Sequence, residues 1–220
     1  VEYQPKGVVG VLAPWNFPLG MVFEPLANVL AAGNRAMIKP SEFTPATSAL
    51  IAEMVAEAFD PTELTVFTGG PEVGQAFSAM PFDHMIFTGA TSVARHIMAA
   101  AARNLVPVTL ELGGKSPVVI SRSANLKEAV ERIMVGKMLN AGQVCISPTR
   151  FFVQDSAHDA FLTAFKKHVK ALNVGNGLEA GITMGPLLAN RRLEIMDGFV
   201  EDAISTGGKL VFGGSRMQSP

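Results

Sequence analysis

Short, continuously apolar runs bounded by Gly, Pro or Asn recur along the first half of this chain, and helical patterns separate them. Runs of this kind are typical of strands that are buried on both faces. Strict alternation of strand and helix implies parallel pairing through right-handed crossovers. The five candidate strands are residues 8–13, 36–39, 64–68, 84–88 and 106–110. We therefore predict an α/β fold, in which a parallel sheet carries helices on both faces.

The clearest helical pattern covers residues 46–59. Thr44 stands where it can cap the helix, and Pro45 suits the first turn. The apolar residues of this segment recur at helical spacing and predict one buried face. That face consists of Leu50, Ile51, Met54, Val55 and Ala58.

A second series of elements begins after the glycine pair Gly113-Gly114, which is the most plausible domain seam. We expect an N-terminal domain at 1–113 and part of a second α/β domain at 114–220, with further sequence missing before the first and after the second. Asn125 and Glu128 resemble a capping pair for the first helix of this series. Its expected elements are strands at 116–120 and 150–154, helices at 126–139, 157–172 and 188–206, and an apolar run at 209–212.

Composition excludes several classes of protein. A hydrophobic content of 48% with 17% charged residues indicates a globular protein. The 18 basic and 19 acidic residues nearly cancel, so the chain has no net positive charge that would attract nucleic acid. The uncharged stretch 7–23 is too short and too interrupted by prolines to span a membrane as a helix. One cysteine and no signal-peptide pattern favour a reducing compartment, and we expect the cytoplasm.

Cys145 is the single cysteine, so it cannot form a disulfide within this chain or a multi-cysteine metal site. Its remaining uses are packing in the core, a free reactive thiol or a catalytic nucleophile. Glu111, earlier in the chain, offers a carboxylate that can act as a base. Taken alone, Glu111 at a strand end is equally well explained as a solvated charge. The four histidines show no spacing typical of metal ligands, and no metal site is expected.

Five motifs follow one another in a characteristic order. They are Pro14-Trp15-Asn16-Phe17-Pro18, Lys39-Pro40-Ser41-Glu42, Phe87-Thr88-Gly89-Ala90-Thr91, Glu111-Leu112-Gly113-Gly114-Lys115 and Gly142-Gln143-Val144-Cys145. Together they resemble the aldehyde dehydrogenase superfamily, and the resemblance extends from Val1 to about Phe212. Residues 104–111 look most like the coniferyl-aldehyde dehydrogenase branch.

The resemblance implies oxidation of an aldehyde to a carboxylic acid. Cys145 is then the nucleophile that forms a thiohemiacetal and later a thioester. The side-chain amide of Asn16 and the backbone N–H of Cys145 stabilise the alkoxide, and Glu111 activates water for deacylation. Asn16 could otherwise simply form a turn beside two prolines. Two alternatives are a CoA-acylating dehydrogenase and a non-catalytic structural or binding protein on the same scaffold.

The resemblance also implies a Rossmann-like first domain that binds NAD, with NADP as the alternative. Lys39 and Glu42 would meet the adenosine ribose hydroxyls, although taken alone their segment could be an ordinary exposed loop. The other implied cofactor contacts are Trp15, Thr88, Gly89, Ala90, Leu112 and Gly113. The chain departs from the usual pattern at Ala90 and Ala94, where the family commonly has serine and glycine. We expect these methyl groups to affect cofactor affinity or choice.

Partners are expected to be a small-molecule aldehyde and a second copy of the chain. The resemblance implies a homodimer or homotetramer for the full-length protein. A Glu-x-Phe-Gly-Pro stretch, whose glutamate holds the nicotinamide ribose in the family, does not occur in this sequence. We expect that segment downstream if the chain is part of a working enzyme.

Overall fold

The computed structural model describes residue 2 and residues 4–217. Contacts divide the chain into two compact units, Val1–Gly113 and Gly114–Pro220. Each unit is built on its own parallel sheet. No helix within the described residues is both long and apolar enough to cross a bilayer.

The first unit contains a five-stranded sheet in the order β3-β2-β1-β4-β5. Every neighbouring pair is parallel, which confirms the predicted sheet. The strands are β1 (Val8–Leu12), β2 (Arg35–Lys39), β3 (Leu64–Val66), β4 (His84–Gly89) and β5 (Val108–Leu112). The last strand begins later than predicted. It is an edge strand with Thr109 and Glu111 on an exposed face, so the expectation of burial on both faces is wrong there.

Helices cover both faces of this sheet, as predicted. They are α1 (Gly20–Ala31), α2 (Pro45–Ala58), α3 (Pro71–Ser78) and α4 (Thr91–Ala102). One core cluster joins α1 and α2 to Val9 and Val11 of β1. The other joins α3 and α4 to Leu12 of β1. Because side chains alternate along a strand, these two clusters lie on opposite faces.

The predicted buried face of α2 is only partly correct. Ile51 and Val55 are buried, but Leu50 and Met54 are 49% and 46% exposed. Ser48 takes an inward position because its hydroxyl donates to the Ser41 carbonyl at 2.8 Å, and this bond helps to set which side of the helix faces the sheet. The expected cap is also wrong: the Thr44 hydroxyl donates to that same carbonyl, and its side chain makes no capping bond to the helix.

The second unit has a two-stranded parallel sheet of β6 (Pro117–Ile120) and β7 (Arg150–Val153). The helices α5 (Leu126–Met138) and α6 (Asp155–Lys170) share a core with these strands. The predicted cap of α5 is confirmed for Asn125, whose side chain accepts from the Glu128 N–H at 3.3 Å. A last helix, α7 (Asn190–Ser205), buries no side chain, and the run 209–212 has no regular structure.

Candidate active site

Candidate residues of the first unit lie at one edge of its sheet. Strands β1, β2, β4 and β5 are parallel, so the segments that follow them all leave from the carboxyl edge. Trp15 and Asn16 follow β1, while Thr88 and Gly89 end β4, the neighbouring strand. From β1 the chain continues first to β2 on one side and later to β4 on the other. Such a switch point opens the crevice where α/β sheets bind ligands.

Lys39 and Glu42 form an ion pair at the carboxyl end of β2. Lys39 is only 5% exposed, although lysine is rarely buried without a partner. Its Nζ lies 2.6 Å from Glu42 Oε2. The alternative of an ordinary exposed loop is therefore wrong for Lys39. The Glu42 carboxylate, which stays partly exposed, compensates for the burial of the Lys39 ammonium.

Gly89 at the end of β4 is required by a close approach. A Cβ at this position would lie 2.5 Å from Cζ of Phe87, whose ring is buried in the core. The two alanines beyond it are accommodated differently. Ala94 is buried in that same core. Ala90 is exposed, and its carbonyl oxygen accepts a hydrogen bond from the Ala94 N–H at 3.0 Å. The methyl of Ala94 thus acts as packing between α4 and the sheet.

We expect Gly89→Ala to lower the free energy of unfolding by about 1–3 kcal/mol, because the new methyl overlaps a ring that cannot move freely. Gly113→Ala is the matched control, since a Cβ there meets nothing within 4 Å. Chemical denaturation of both variants measures the difference. Equal stability of the two variants would contradict the proposed clash.

Glu111 lies on β5, where it pairs in register with Thr88 of β4. Leu112 pairs with Gly89 in the same way. Glu111 and Leu112 therefore lie on the strand next to β4, which borders the switch point. The side chain of Glu111 is exposed. This placement suits a base that exchanges protons with water, and it equally suits a solvated charge.

His84 lies at the opposite end of β4 from these residues. Its Nε2 is 2.8 Å from the Thr109 hydroxyl, and its Nδ1 is buried without a hydrogen-bond partner. Burial lowers the pKa of His84, and the charge of Lys6 lowers it further. The remote edge and the neutral ring favour a structural role. No group of three or more His, Cys, Asp or Glu side chains within the described part of the chain is arranged to hold a metal.

Cys145 belongs to the second unit and lies in residues 139–147, which we call the Cys145 loop. Its thiol is free and exposed, so the alternative that it fills the core is wrong. Before it, Asn140, Ala141 and Gly142 have φ angles of 50°, 55° and 75°. Left-handed backbone at a non-glycine residue costs about 1–3 kcal/mol and clusters at functional sites. The loop that presents the thiol is therefore strained.

Lys137, near the end of α5, contacts this loop. A Cβ on Gly142 would lie 3.2 Å from the Lys137 carbonyl oxygen and 3.6 Å from its Nζ. Burial lowers the pKa of Lys137, and repulsion from Lys115 lowers it further. No carboxylate among the described residues forms an ion pair with it. Its charge therefore weakens the folded state.

We expect Lys137→Met to raise the free energy of unfolding at neutral pH, because the apolar chain keeps its packing and the unpaired charge is removed. The gain stays below about 1 kcal/mol, since the ammonium remains partly in water. Wild-type Lys137 releases its proton more easily when folded. The gain should accordingly shrink as the pH rises through its lowered pKa towards 10.5. Denaturation at a series of pH values tests this, and a pH-independent difference would contradict it.

Two residues of this region, Lys137 and Gln143, were not predicted to have a role. Gln143 belongs to the Gly142-Gln143-Val144-Cys145 motif, but its hydrogen bond to distant backbone could not be predicted from spacing. Lys137 offers only the general signal of a base in the last turn of a helix.

Comparison with known proteins adds to this geometry. The family model described as the aldehyde dehydrogenase family matches residues 1–220. The chain belongs to the aldehyde dehydrogenase family. It is 52% identical over 215 residues to a probable coniferyl aldehyde dehydrogenase of Caulobacter vibrioides, covering 96% of this chain and 43% of that protein. It is 50% identical over 211 residues to a coniferyl aldehyde dehydrogenase of a Pseudomonas species, covering 96% and 44%.

A solved aldehyde dehydrogenase has the same fold. The Staphylococcus aureus betaine aldehyde dehydrogenase in complex with NAD+ superposes with a TM-score of 0.92 at 35% identity, covering 97% of this chain and 43% of that one. This aldehyde dehydrogenase chain thus spans less than half the length of the relatives it matches.

Proposed function

We propose that the protein containing this chain oxidises an aldehyde to a carboxylic acid with NAD(P) as the hydride acceptor. The observation that carries the proposal is the exposed thiol of Cys145 on a strained, hydrogen-bonded loop, in a chain of the aldehyde dehydrogenase family. A thiol so placed is accessible to a carbonyl carbon, and a structural cysteine needs no such loop.

Cys145 carries the covalent chemistry in this proposal. The thiol loses its proton, and the resulting thiolate attacks the aldehyde carbon to form a thiohemiacetal whose oxygen is negatively charged. The Asn16 side-chain amide and the Cys145 N–H donate hydrogen bonds to that oxygen, and loss of one such donor typically lowers turnover by roughly 10²- to 10³-fold. After oxidation the acyl group remains on sulfur as a thioester. Glu111 removes a proton from water, and the hydroxide releases the acid and restores the thiol.

The carboxyl edge of the first unit suits a dinucleotide. Lys39 offers a donor and Glu42 an acceptor, the pair needed to hold two neighbouring ribose hydroxyls. A carboxylate there repels the additional phosphate of NADP, so we expect NAD to be preferred. Trp15, Thr88, Gly89, Ala90, Leu112 and Gly113 supply the remaining contacts. When bound, the nicotinamide accepts the hydride that leaves the substrate carbon.

The proposal assigns cofactor binding to residues 1–113 and covalent catalysis to residues 114–220. The two relatives at 52% and 50% identity reported above carry coniferyl aldehyde in their names, which supports an aromatic aldehyde as substrate. We further propose a cytoplasmic homodimer or homotetramer for the full-length protein.

The test is to supply the full-length protein with NAD or NADP and either coniferyl aldehyde or succinate semialdehyde. We expect NADH formation with coniferyl aldehyde and release of the free acid without CoA. Formation of an acyl-CoA thioester, with no free acid in the absence of CoA, would instead support an acylating dehydrogenase. Absence of turnover with any aldehyde would support a binding or structural role.

A further inference from the structure

The left-handed turn that precedes Cys145 must be stabilised by other contacts, because its backbone conformation is unfavourable on its own. Asn140 and Ala141 both adopt left-handed backbone without being glycine. Residues of this kind persist only where surrounding contacts over-determine them. Within the loop, the Gln143 N–H donates to the Asn140 carbonyl at 3.0 Å and the Ser147 N–H to the Val144 carbonyl at 3.1 Å. The Asn140 side-chain amide also donates to the Gln143 carbonyl at 3.4 Å.

The side chain of Gln143 makes two further bonds, one with each end of its amide. Its Nε2 donates to the Asn140 carbonyl at 3.0 Å, across the turn itself. Its Oε1 accepts from the Leu188 N–H at 3.1 Å, and Leu188 is 45 residues further along the chain. One planar amide therefore joins the left-handed turn to a distant segment of the same unit.

The residues that precede Leu188, up to Met184, make hydrogen bonds of their own. The Asn173 carbonyl accepts from the Thr183 N–H at 2.9 Å, and the Asn173 side chain donates to the Gly181 carbonyl at 3.1 Å. The Gly175 N–H donates to the Met184 carbonyl at 3.1 Å. Leu188 leads from this segment into α7, which begins at Asn190. Gln143 thus joins the loop to a stretch of backbone that lies between a hydrogen-bonded segment and a helix.

We propose that Gln143 is a positioning residue for the reaction of Cys145: its side-chain amide clamps the left-handed turn to the backbone at Leu188 and so fixes where the thiol and the Cys145 N–H stand. This inference rests on the proposed function. Cys145 lies only two residues after Gln143. The positions of its thiol and of its N–H, the proposed oxyanion donor, therefore both depend on the course of this loop. A displacement of about 1 Å can lower turnover by roughly a hundredfold.

The experiment compares three variants of the full-length protein. Gln143→Leu removes both side-chain bonds. Gln143→Glu keeps the acceptor for Leu188 but cannot donate to Asn140 when ionised. The matched control is Gln154→Leu, because Gln154 Oε1 also accepts from a distant backbone N–H, that of Arg122 at 2.9 Å, outside the Cys145 loop.

Two measurements separate positioning from general stability. In Gln143→Leu we expect kcat to fall about tenfold to a hundredfold while KM for NAD is unchanged. Amide hydrogen exchange should become roughly tenfold faster at both the Cys145 loop and Leu188. In Gln143→Glu, Leu188 should stay protected while the loop exchanges faster. Gln154→Leu should change neither the loop nor kcat.

The inference is overturned if Gln143→Leu exchanges like the wild type at both segments, or if its kcat matches that of Gln154→Leu. If Gln143→Leu does not fold, Gln143→Glu decides by the same two measurements. If the wild type oxidises no aldehyde, the proposed function fails, and unchanged exchange in the Gln143 variants would separately reject the clamp.

Discussion

Replacing Cys145 with alanine should lower aldehyde oxidation by at least about a thousandfold, because removal of a nucleophile leaves only the binding and electrostatic contributions. The side chain is exposed, so the substitution leaves no buried cavity and should not change stability. Steady-state NADH formation measures the loss, and NAD affinity should be unchanged because the proposed cofactor contacts lie in residues 1–113.

Cys145→Ser is the matched variant, since it keeps a smaller and much weaker nucleophile in the same place. It should be as stable as the wild type and nearly as inactive as the alanine variant. Turnover of Cys145→Ala close to that of the wild type would refute covalent catalysis by this thiol, whatever the family relationship.

Glu111→Gln should separate the two halves of the proposed reaction. The amide occupies the same volume but cannot accept a proton, so steady-state turnover should fall by about 10²- to 10⁴-fold. Formation of the thioester does not need this base. Rapid mixing should therefore still show a first burst of NADH, approaching one equivalent for each active site.

The control for this variant is Glu63→Gln, which neutralises an exposed carboxylate just before β3, at the other edge of the same sheet. It should have wild-type turnover. A Glu111→Gln variant that shows neither burst nor turnover would place Glu111 in the first half of the reaction, and one with normal turnover would leave it as a solvated charge.

The strands of the first unit were predictable because their composition reports burial directly. Apolar runs between glycines and prolines indicated the five strands, although β5 is exposed on one face, and the structure places the candidate segments of this unit at one carboxyl edge. Two helices were not predicted. α1 carries Pro25 inside it, and α3 spans only eight residues, so neither offers a long uninterrupted helical segment. Packing against the sheet stabilises helices that local preference would not predict.

The residues of the candidate site could be predicted from the sequence, but most of the contacts between them could not. The motifs named Cys145, Glu111 and Lys39, but spacing could not show that Lys39 is buried against Glu42. Nor could it show that Gln143 reaches Leu188, because that bond joins residues far apart in the chain. Hydrogen bonds between distant segments depend on the folded backbone, which local patterns do not specify.

The exposure of the single sulfur atom has a consequence for oxidative stress. Peroxide converts an accessible thiolate to sulfenic acid, which is normally rescued when a neighbouring thiol closes a disulfide. Residues 1–220 contain no second cysteine to do this. Rescue would then need a thiol from outside this segment, such as glutathione, and prolonged exposure to peroxide would oxidise the sulfur further to the irreversible sulfinic state.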